Sequence, residues 1–310
     1  MKICYLLQTY KNPEQIYRLV NTIKTSNPNS IIILSHNYTY CQLDESKLEK
    51  HSDVYLLPVK TGRGDFSILR EYLSAISWAN KNNIDFDWFI NLTGQDYPTQ
   101  PLSSLESLLS QTHYDGFIEY FQVFSHNKSW SVRQGMNRYL YKYRTIILNQ
   151  PNWFKQLFKI MKLLNVLQPF VRIDSSYDLM LGIKVKSPFY DKFVCYGGSY
   201  FSILSKKCIQ YLQKFSECNP HVIEHYQHVI NPEESYIQTV LVNSQLFNFY
   251  NECKHYYDFY QSRHGAPAIL TSKNSSIIKQ KNYYFARKFD MNIDNKVLDI
   301  LDEIVLLKTS

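Results

Sequence analysis

The sequence predicts an α/β protein whose core is a mostly parallel sheet flanked by helices. Short apolar runs alternate with amphipathic stretches of helical length through residues 1–125. That alternation is the pattern of strand and helix wound about a parallel sheet. The runs are apolar throughout, as strands buried on both faces are. The chain of 310 residues is 45% hydrophobic and 20% charged, a globular balance with enough length for a sizeable core.

The elements follow in order. Ile3 to Leu7 is the first buried strand. Pro13 to Thr25 follows as a helix, with Ile16, Leu19, Val20 and Ile23 at helical spacing. Ile31 to Leu34 and Val54 to Leu57 are the second and third strands. Phe66 to Ala79 is a helix that gathers Ile68, Leu69, Tyr72, Leu73 and Ile76 on one face. Trp88 to Leu92 is the fourth strand, and Gly94 to Pro98 a polar loop at its carboxyl end. Ligands of open α/β sheets bind at such ends. Leu102 to Leu109 reads as a short helix and Gly116 to Phe124 as a strand.

Residues 126–190 break the rhythm, with Arg133, Arg138, Lys142 and Arg144 set among tyrosines and tryptophans. Within them, Trp153 to Leu167 places Trp153, Leu157, Ile160, Leu164 and Leu167 on one helical face. Lys155, Lys159 and Lys162 take the other face. This is either a helix packed on the domain or a helix lying in a membrane interface. The α/β texture returns with a strand at Tyr200 to Leu204 and helices at Lys206 to Phe215, Glu234 to Val242 and Val297 to Leu307. A single domain over 1–310 is expected, in three stretches: 1–125, the insertion 126–190, and 191–310.

Composition excludes several classes. Nine glycines are too few for a collagen, a linker-rich chain or a β-propeller. A net charge of +7 suits an anionic partner such as a nucleotide, a phosphate-linked glycan or a membrane surface. The basic residues are dispersed, which does not favour nucleic acid. Six cysteines, at 4, 41, 195, 208, 218 and 253, form no CxxC pair and no zinc spacing. A reduced, intracellular chain is the simpler reading. The N-terminus enters a strand directly with no signal-peptide apolar region, and no uncharged apolar stretch is long enough to span a bilayer. A cytoplasmic protein is expected.

Four segments carry the chemistry. They are Asn91-Leu92-Thr93-Gly94-Gln95-Asp96-Tyr97-Pro98, Gly197-Gly198-Ser199-Tyr200-Phe201, Asn231-Pro232-Glu233-Glu234-Ser235-Tyr236 and Phe285-Ala286-Arg287-Lys288-Phe289-Asp290. Their content and order resemble the core-2/I-branching β-1,6-N-acetylglucosaminyltransferase and peptide O-xylosyltransferase family, glycosyltransferase family 14. Lys11-Asn12-Pro13 after the first strand looks like that family's start. The resemblance spans nearly the whole chain. It implies a GT-A-like, Rossmann-like fold, a UDP-sugar donor, inversion at the anomeric carbon and no required metal or other cofactor. Residues 1–125 then become the nucleotide-sugar half and 191–310 the acceptor and catalytic half. The residue types agree: inverting transfer needs a base for the acceptor hydroxyl and positive charge for the departing diphosphate.

By this resemblance Glu234 is the catalytic base. Pro232 suits the first turn of a helix, where Glu233 and Glu234 also read as ordinary helix-start acids. Lys288 contacts the donor diphosphate as a point charge, with Arg287 adjacent and Arg263 or His264 as the second cation. Gln95 and Asp96 anchor the loop near the donor sugar. Gly198 and Ser199 let backbone approach the ligand. Glu119, Arg138 and Glu233 are acceptor contacts. Phe259, in His255-Tyr256-Tyr257-Asp258-Phe259, takes the place of a stacking Trp. Arg63 or Asp65 in the loop Gly62 to Ser67 is a further donor contact, and Gln8, Thr9 and Ser35 line a uridine pocket.

No metal ligand is expected. Asp85-Phe86-Asp87 precedes the fourth strand and so lies at the wrong end for a diphosphate-bound metal. The carboxyl end offers only Asp96, a poor site for a divalent ion. The expected activity is transfer of N-acetylglucosamine from a UDP-sugar to a hydroxyl of a glycan acceptor in surface polysaccharide synthesis, with UDP-xylose the alternative donor. The acceptor is lipid-linked if 153–167 touches the inner face of the membrane. A non-catalytic nucleotide- or glycan-binding module is the competing class.

Overall fold

The computed structural model describes residues 1–127, 129–147, 165, 169–260, 266–280 and 283–306. The chain opens with β1 (Ile3–Thr9), α1 (Pro13–Ser26), β2 (Ile31–His36), the single turn α2 (Ser46–Glu49), β3 (Val54–Pro58), α3 (Phe66–Lys81) and β4 (Trp88–Thr93). Every residue of β1 and β2 is buried, because helices cover both faces. The side chains still alternate. Ile3, Tyr5 and Leu7 join a core cluster with α1, and Cys4 and Leu6 join another with α3. Proline suits the first turn of α1, where its missing N–H is no loss. Asp65 caps α3 by accepting from the Ser67 amide.

The middle of the chain forms β5 (Asp96–Pro98), α4 (Leu102–Gln111), β6 (Gly116–Ile118), β7 (Phe121–Gln122), α5 (Val132–Tyr139), β8 (Tyr141–Ile147), β9 (Val171–Asp174) and β10 (Leu179–Lys184). The remainder forms β11 (Tyr196–Gly197), β12 (Ser202–Ser205), α6 (Lys206–Cys218), α7 (Pro220–Tyr226), a 3-10 turn (Pro232–Glu234) and α8 (Tyr236–Ser244). It closes with β13 (Phe249–Tyr250), β14 (His255–Tyr257), α9 (Ser275–Gln280), β15 (Phe285–Arg287) and α10 (Lys296–Val305). The main sheet has seven strands in the order β13-β6-β12-β4-β1-β2-β3. Only β12 runs against the others, so the sheet is mixed and mostly parallel, flanked by helices as expected. Among the described residues, no helix is long and apolar enough to cross a membrane.

Four expectations change. Gly94 to Pro98 is not a plain loop. Asp96–Pro98 pairs with β15, which pairs with β14, and Arg287 falls opposite Asp96. Three residues are too short to display a strand period. Gly116 to Phe124 is not one strand either. The ladder breaks after Ile118, and the Asn251 side chain takes over both backbone groups of Tyr120, at 2.8 and 3.0 Å. Glu234 ends a 3-10 turn instead of starting a helix, and α8 begins at Tyr236. Within 126–190 lie α5 and a three-stranded sheet of order β8-β10-β9, in which β9 and β10 form a hairpin and β8 pairs with β10 from more than thirty residues away. The stretch 153–167, apart from Asn165, lies outside the described residues, as do Arg263 and His264.

The C-terminal helix closes the fold on the N-terminal unit. Arg18 on α1 bonds both Asp299 and Asp302 at 2.7 Å. Asp302 also accepts from Tyr97 at 2.6 Å and Thr22 at 2.9 Å. The segment 285–290 that precedes α10 is thereby held over the carboxyl ends of β1 and β4.

Candidate active site

Glu234 is placed by backbone. Asn231 takes a left-handed conformation (φ 51°) before Pro232, and its amide donates to the Gly64 carbonyl at 3.1 Å. The Gly198 amide donates to the Glu234 carbonyl at 2.9 Å. Gly198 must be glycine, because a Cβ there would stand 1.9 Å from the Glu119 carbonyl oxygen. The second and third motifs therefore meet, with the Glu119 backbone between β6 and β7 against them. Ser199 binds inward: its carbonyl accepts from Gln238 at 2.6 Å.

The Glu234 carboxylate is about one-third exposed and receives Arg138 Nη1 at 2.6 Å. The Arg138 guanidinium lies 4.4 Å from the centre of the Trp130 ring. Arg138, expected on the acceptor, is paired with Glu234. Glu233 is buried and its Oε2 has no hydrogen-bond partner. Burial, and then the Glu234 charge, push Glu233 above the usual carboxylate range. The two neighbouring acids therefore divide, Glu234 paired with Arg138 and Glu233 disfavoured as an anion. Glu234 lines a cavity of about 510 Å³ together with Arg63, Arg133, Arg138, Asp174 and Tyr177.

Lys288 follows β15 and is fixed by its neighbours. Its carbonyl accepts from Leu270 at 2.8 Å, and the Phe289 amide donates to the Gln95 carbonyl at 2.8 Å. Gln15 reaches the carbonyls of Gly94 at 2.8 Å and Phe289 at 3.2 Å. Gln95 is buried and clamps this segment; it is a support for Lys288. Asp96 is fully buried, accepts from the Thr93 amide at 2.6 Å and faces Arg287 at 3.3 Å. Burial raises the Asp96 carboxyl despite Arg287. Arg287 is spent on Asp96 and on the Phe201 ring, 4.6 Å away. Among the described residues, Lys288 and Arg63 are the donor-side cations without an ion-pair partner. Partial burial, and then the nearby charges of Lys11, Arg287 and Arg63, lower its ammonium. Lys11, not singled out as a cation in the sequence, pairs with Asp290 at 3.0 Å. Its place in Lys11-Asn12-Pro13, just past β1, was the available signal.

Two of the three uridine-pocket candidates, Gln8 and Thr9, are used internally, while the Ser35 hydroxyl has no hydrogen-bond partner among the described residues. Gln8 accepts from Tyr200 and donates to the Ile68 carbonyl. Thr9 pairs with His36 at 2.8 Å, and Ser35 is buried.

The sequence model of the Core-2/I-branching enzyme family matches residues 3–278. The chain belongs to that family. It is therefore a glycosyltransferase. No curated protein matches the chain. Among solved structures, it is similar to a nucleoside-diphosphate-sugar pyrophosphorylase from Vibrio cholerae RC9, with 11% identity, 82% of this chain and 91% of that chain covered, and a TM-score of 0.36. It is also similar to 4-diphosphocytidyl-2C-methyl-D-erythritol synthase from Anaerococcus prevotii, with 11% identity, 90% and 95% covered, and a TM-score of 0.36. Likenesses this distant carry no argument about substrate.

In this Core-2/I-branching enzyme the remaining candidates lie on the other side of Gly198. Glu119 accepts from Tyr257 at 3.1 Å and lines a second cavity of about 280 Å³ with Asn251, Tyr256 and Tyr283. Phe259 is half exposed and meets Tyr257 edge-on at 5.2 Å. Carboxylate, amide and aromatic faces together suit a sugar ring. Asp85 pairs with Lys206 at 2.5 Å and Asp87 accepts from the Lys2 amide at 2.7 Å. Both precede β4, at the opposite end of the sheet from Asp96. Among the described residues, no group of three His, Cys, Asp or Glu side chains could hold a metal ion.

Proposed function

We propose that this enzyme is an inverting transferase that moves a sugar, N-acetylglucosamine in the first place, from a UDP-sugar to a glycan hydroxyl without a metal ion. One observation carries the reading. Glu234 and Arg63 line the same cavity, and Arg63 is an electrostatic neighbour of Lys288. A base and the cation Arg63 thus face one space, with Lys288 near enough to Arg63 to feel its charge. Glu234 takes the proton of the acceptor hydroxyl as its oxygen attacks the anomeric carbon. The bond to the diphosphate breaks on the opposite face, and its electron pair leaves with UDP. Lys288, Arg63 and Lys11 supply the positive charge that a metal supplies elsewhere. Arg138 holds the base, while Glu119, Tyr257 and Phe259 seat the acceptor. Glu233, with no partner for Oε2, stands beside the base as a further acceptor contact.

The test is UDP release from a panel of UDP-sugars, with EDTA present and a mixed set of glycan acceptors. Release from UDP-N-acetylglucosamine that survives EDTA and is lost in Glu234→Gln is the expected result. Preference for UDP-xylose would replace the sugar and keep the mechanism. Loss of activity in EDTA would overturn the metal-free assignment. Donor binding without turnover by any acceptor would favour a non-catalytic module.

The same proposal places the enzyme in cell-surface polysaccharide synthesis, at the inner face of the membrane, with a lipid-linked acceptor. The motive is the basic amphipathic pattern of 153–167. Flotation with anionic liposomes should fall when Lys155, Lys159 and Lys162 are all changed to Glu. Equal flotation of that variant and wild type would remove the anchor.

A further inference from the structure

The Glu234 cavity holds charge that the transfer step leaves unused. Of its three arginines, Arg138 is spent on Glu234 and Arg63 belongs with the Lys288 group. Arg133 has neither role. It lines the cavity from the first turn of α5, makes no ion pair among the described residues, and is not among the charges that act on Lys288. It precedes Arg138 by five positions, about 7.5 Å along the helix axis. It borders the cavity as a cation separate from the Arg138–Glu234 pair. Opposite, Asp174 is turned to its own hairpin and accepts from the Ser176 amide at 2.7 Å. Asn231 lines the same cavity, is 6% exposed, and has a side-chain oxygen with no partner. That oxygen suits a sugar hydroxyl.

We infer that the acceptor is an acidic glycan and that Arg133 recognises its carboxylate or phosphate. A guanidinium meets either anion through two parallel hydrogen bonds. The inference rests on the transferase reading, because it takes this cavity as the acceptor's.

The experiment compares the binding of a uronic-acid oligosaccharide, a hyaluronan hexasaccharide, with that of neutral chitohexaose. Wild type, Arg133→Gln and the control Lys81→Gln are measured at low and high salt, alongside UDP-sugar hydrolysis. Wild type should prefer the acidic oligosaccharide at least tenfold at low salt. Arg133→Gln should reduce that preference to threefold or less and leave the donor KM for hydrolysis unchanged. Lys81→Gln should keep it. No acidic preference, or equal losses in both variants, would overturn the inference, the second by making the effect general charge. A changed donor KM in Arg133→Gln would place the acidic group on the donor and overturn it as well. Failure of the transferase reading appears separately, as an acidic preference kept by an enzyme from which Glu234→Gln removes no UDP release.

Discussion

Glu234 shows how much one side chain depends on its partners. The Arg138 bond at 2.6 Å fixes one carboxylate oxygen and leaves the other for the substrate. A positioned base contributes about 10²–10⁴-fold, so Glu234→Gln should lose that much turnover while its melting temperature changes little. Glu71 is a different case. It is buried on α3 beside Ser35 and Gln8, one of its oxygens has no partner, and burial pushes it up to about 7. The unfolded chain releases this proton near 4.5. The native state therefore binds it more tightly, and stability falls as pH rises from 4.5 to 7. Above 7 the deficit is complete, on the order of 3 kcal/mol. Glu71→Gln should melt higher than wild type at pH 8, with the gain shrinking toward pH 4.5. Parallel melting curves across that range would assign the strain elsewhere.

Elements position these residues through contacts far apart in sequence. Lys288 is set by β15 on β5, by Gln15 and Gln95, and by α10 locked to α1. Asp302 is the centre of that lock, with Arg18, Thr22 and Tyr97 on its two oxygens. Asp302→Ala takes the carboxylate acceptor from the buried Thr22 and Tyr97 hydroxyls and leaves Arg18 with Asp299 and Asn295, a cost of about 2 kcal/mol. The expected drop in melting temperature is several degrees, with a donor KM that rises more than kcat falls, since the segment carrying Lys288 loses its anchor. An unchanged KM would separate the lock from the donor site.

The whole molecule buries its two core clusters on opposite faces of one sheet, and the thiols follow. Cys4, Cys195, Cys208 and Cys253 are buried, Cys41 is partly covered, Cys218 is exposed, and all six are free. Titration of the native protein should count two reactive thiols, Cys41 and Cys218, and six after denaturation. A native count of four or more would mean that the packing around the buried four is looser than described. The family match over residues 3–278 takes in Glu234, while Lys288 lies beyond it. The cation therefore depends on the closing segment.

The sequence by itself determined β1 to β4 and the helices α1, α3 and α4, because a doubly buried parallel strand is apolar throughout and an amphipathic helix repeats every 3.6 residues. It also determined the four motifs and the prominence of Glu234 and Lys288 within them. Only the tertiary structure decided the partners. Arg138 and Glu234 are 96 positions apart, and Asp96 meets Arg287 across paired strands. No local period records such distances. The pairing of β8 with β10, the break after Ile118 and the 3-10 turn beneath Glu234 stayed hidden for the same reason. Each exists because a remote group satisfies its backbone or covers its face, and which group arrives is settled only when the chain closes.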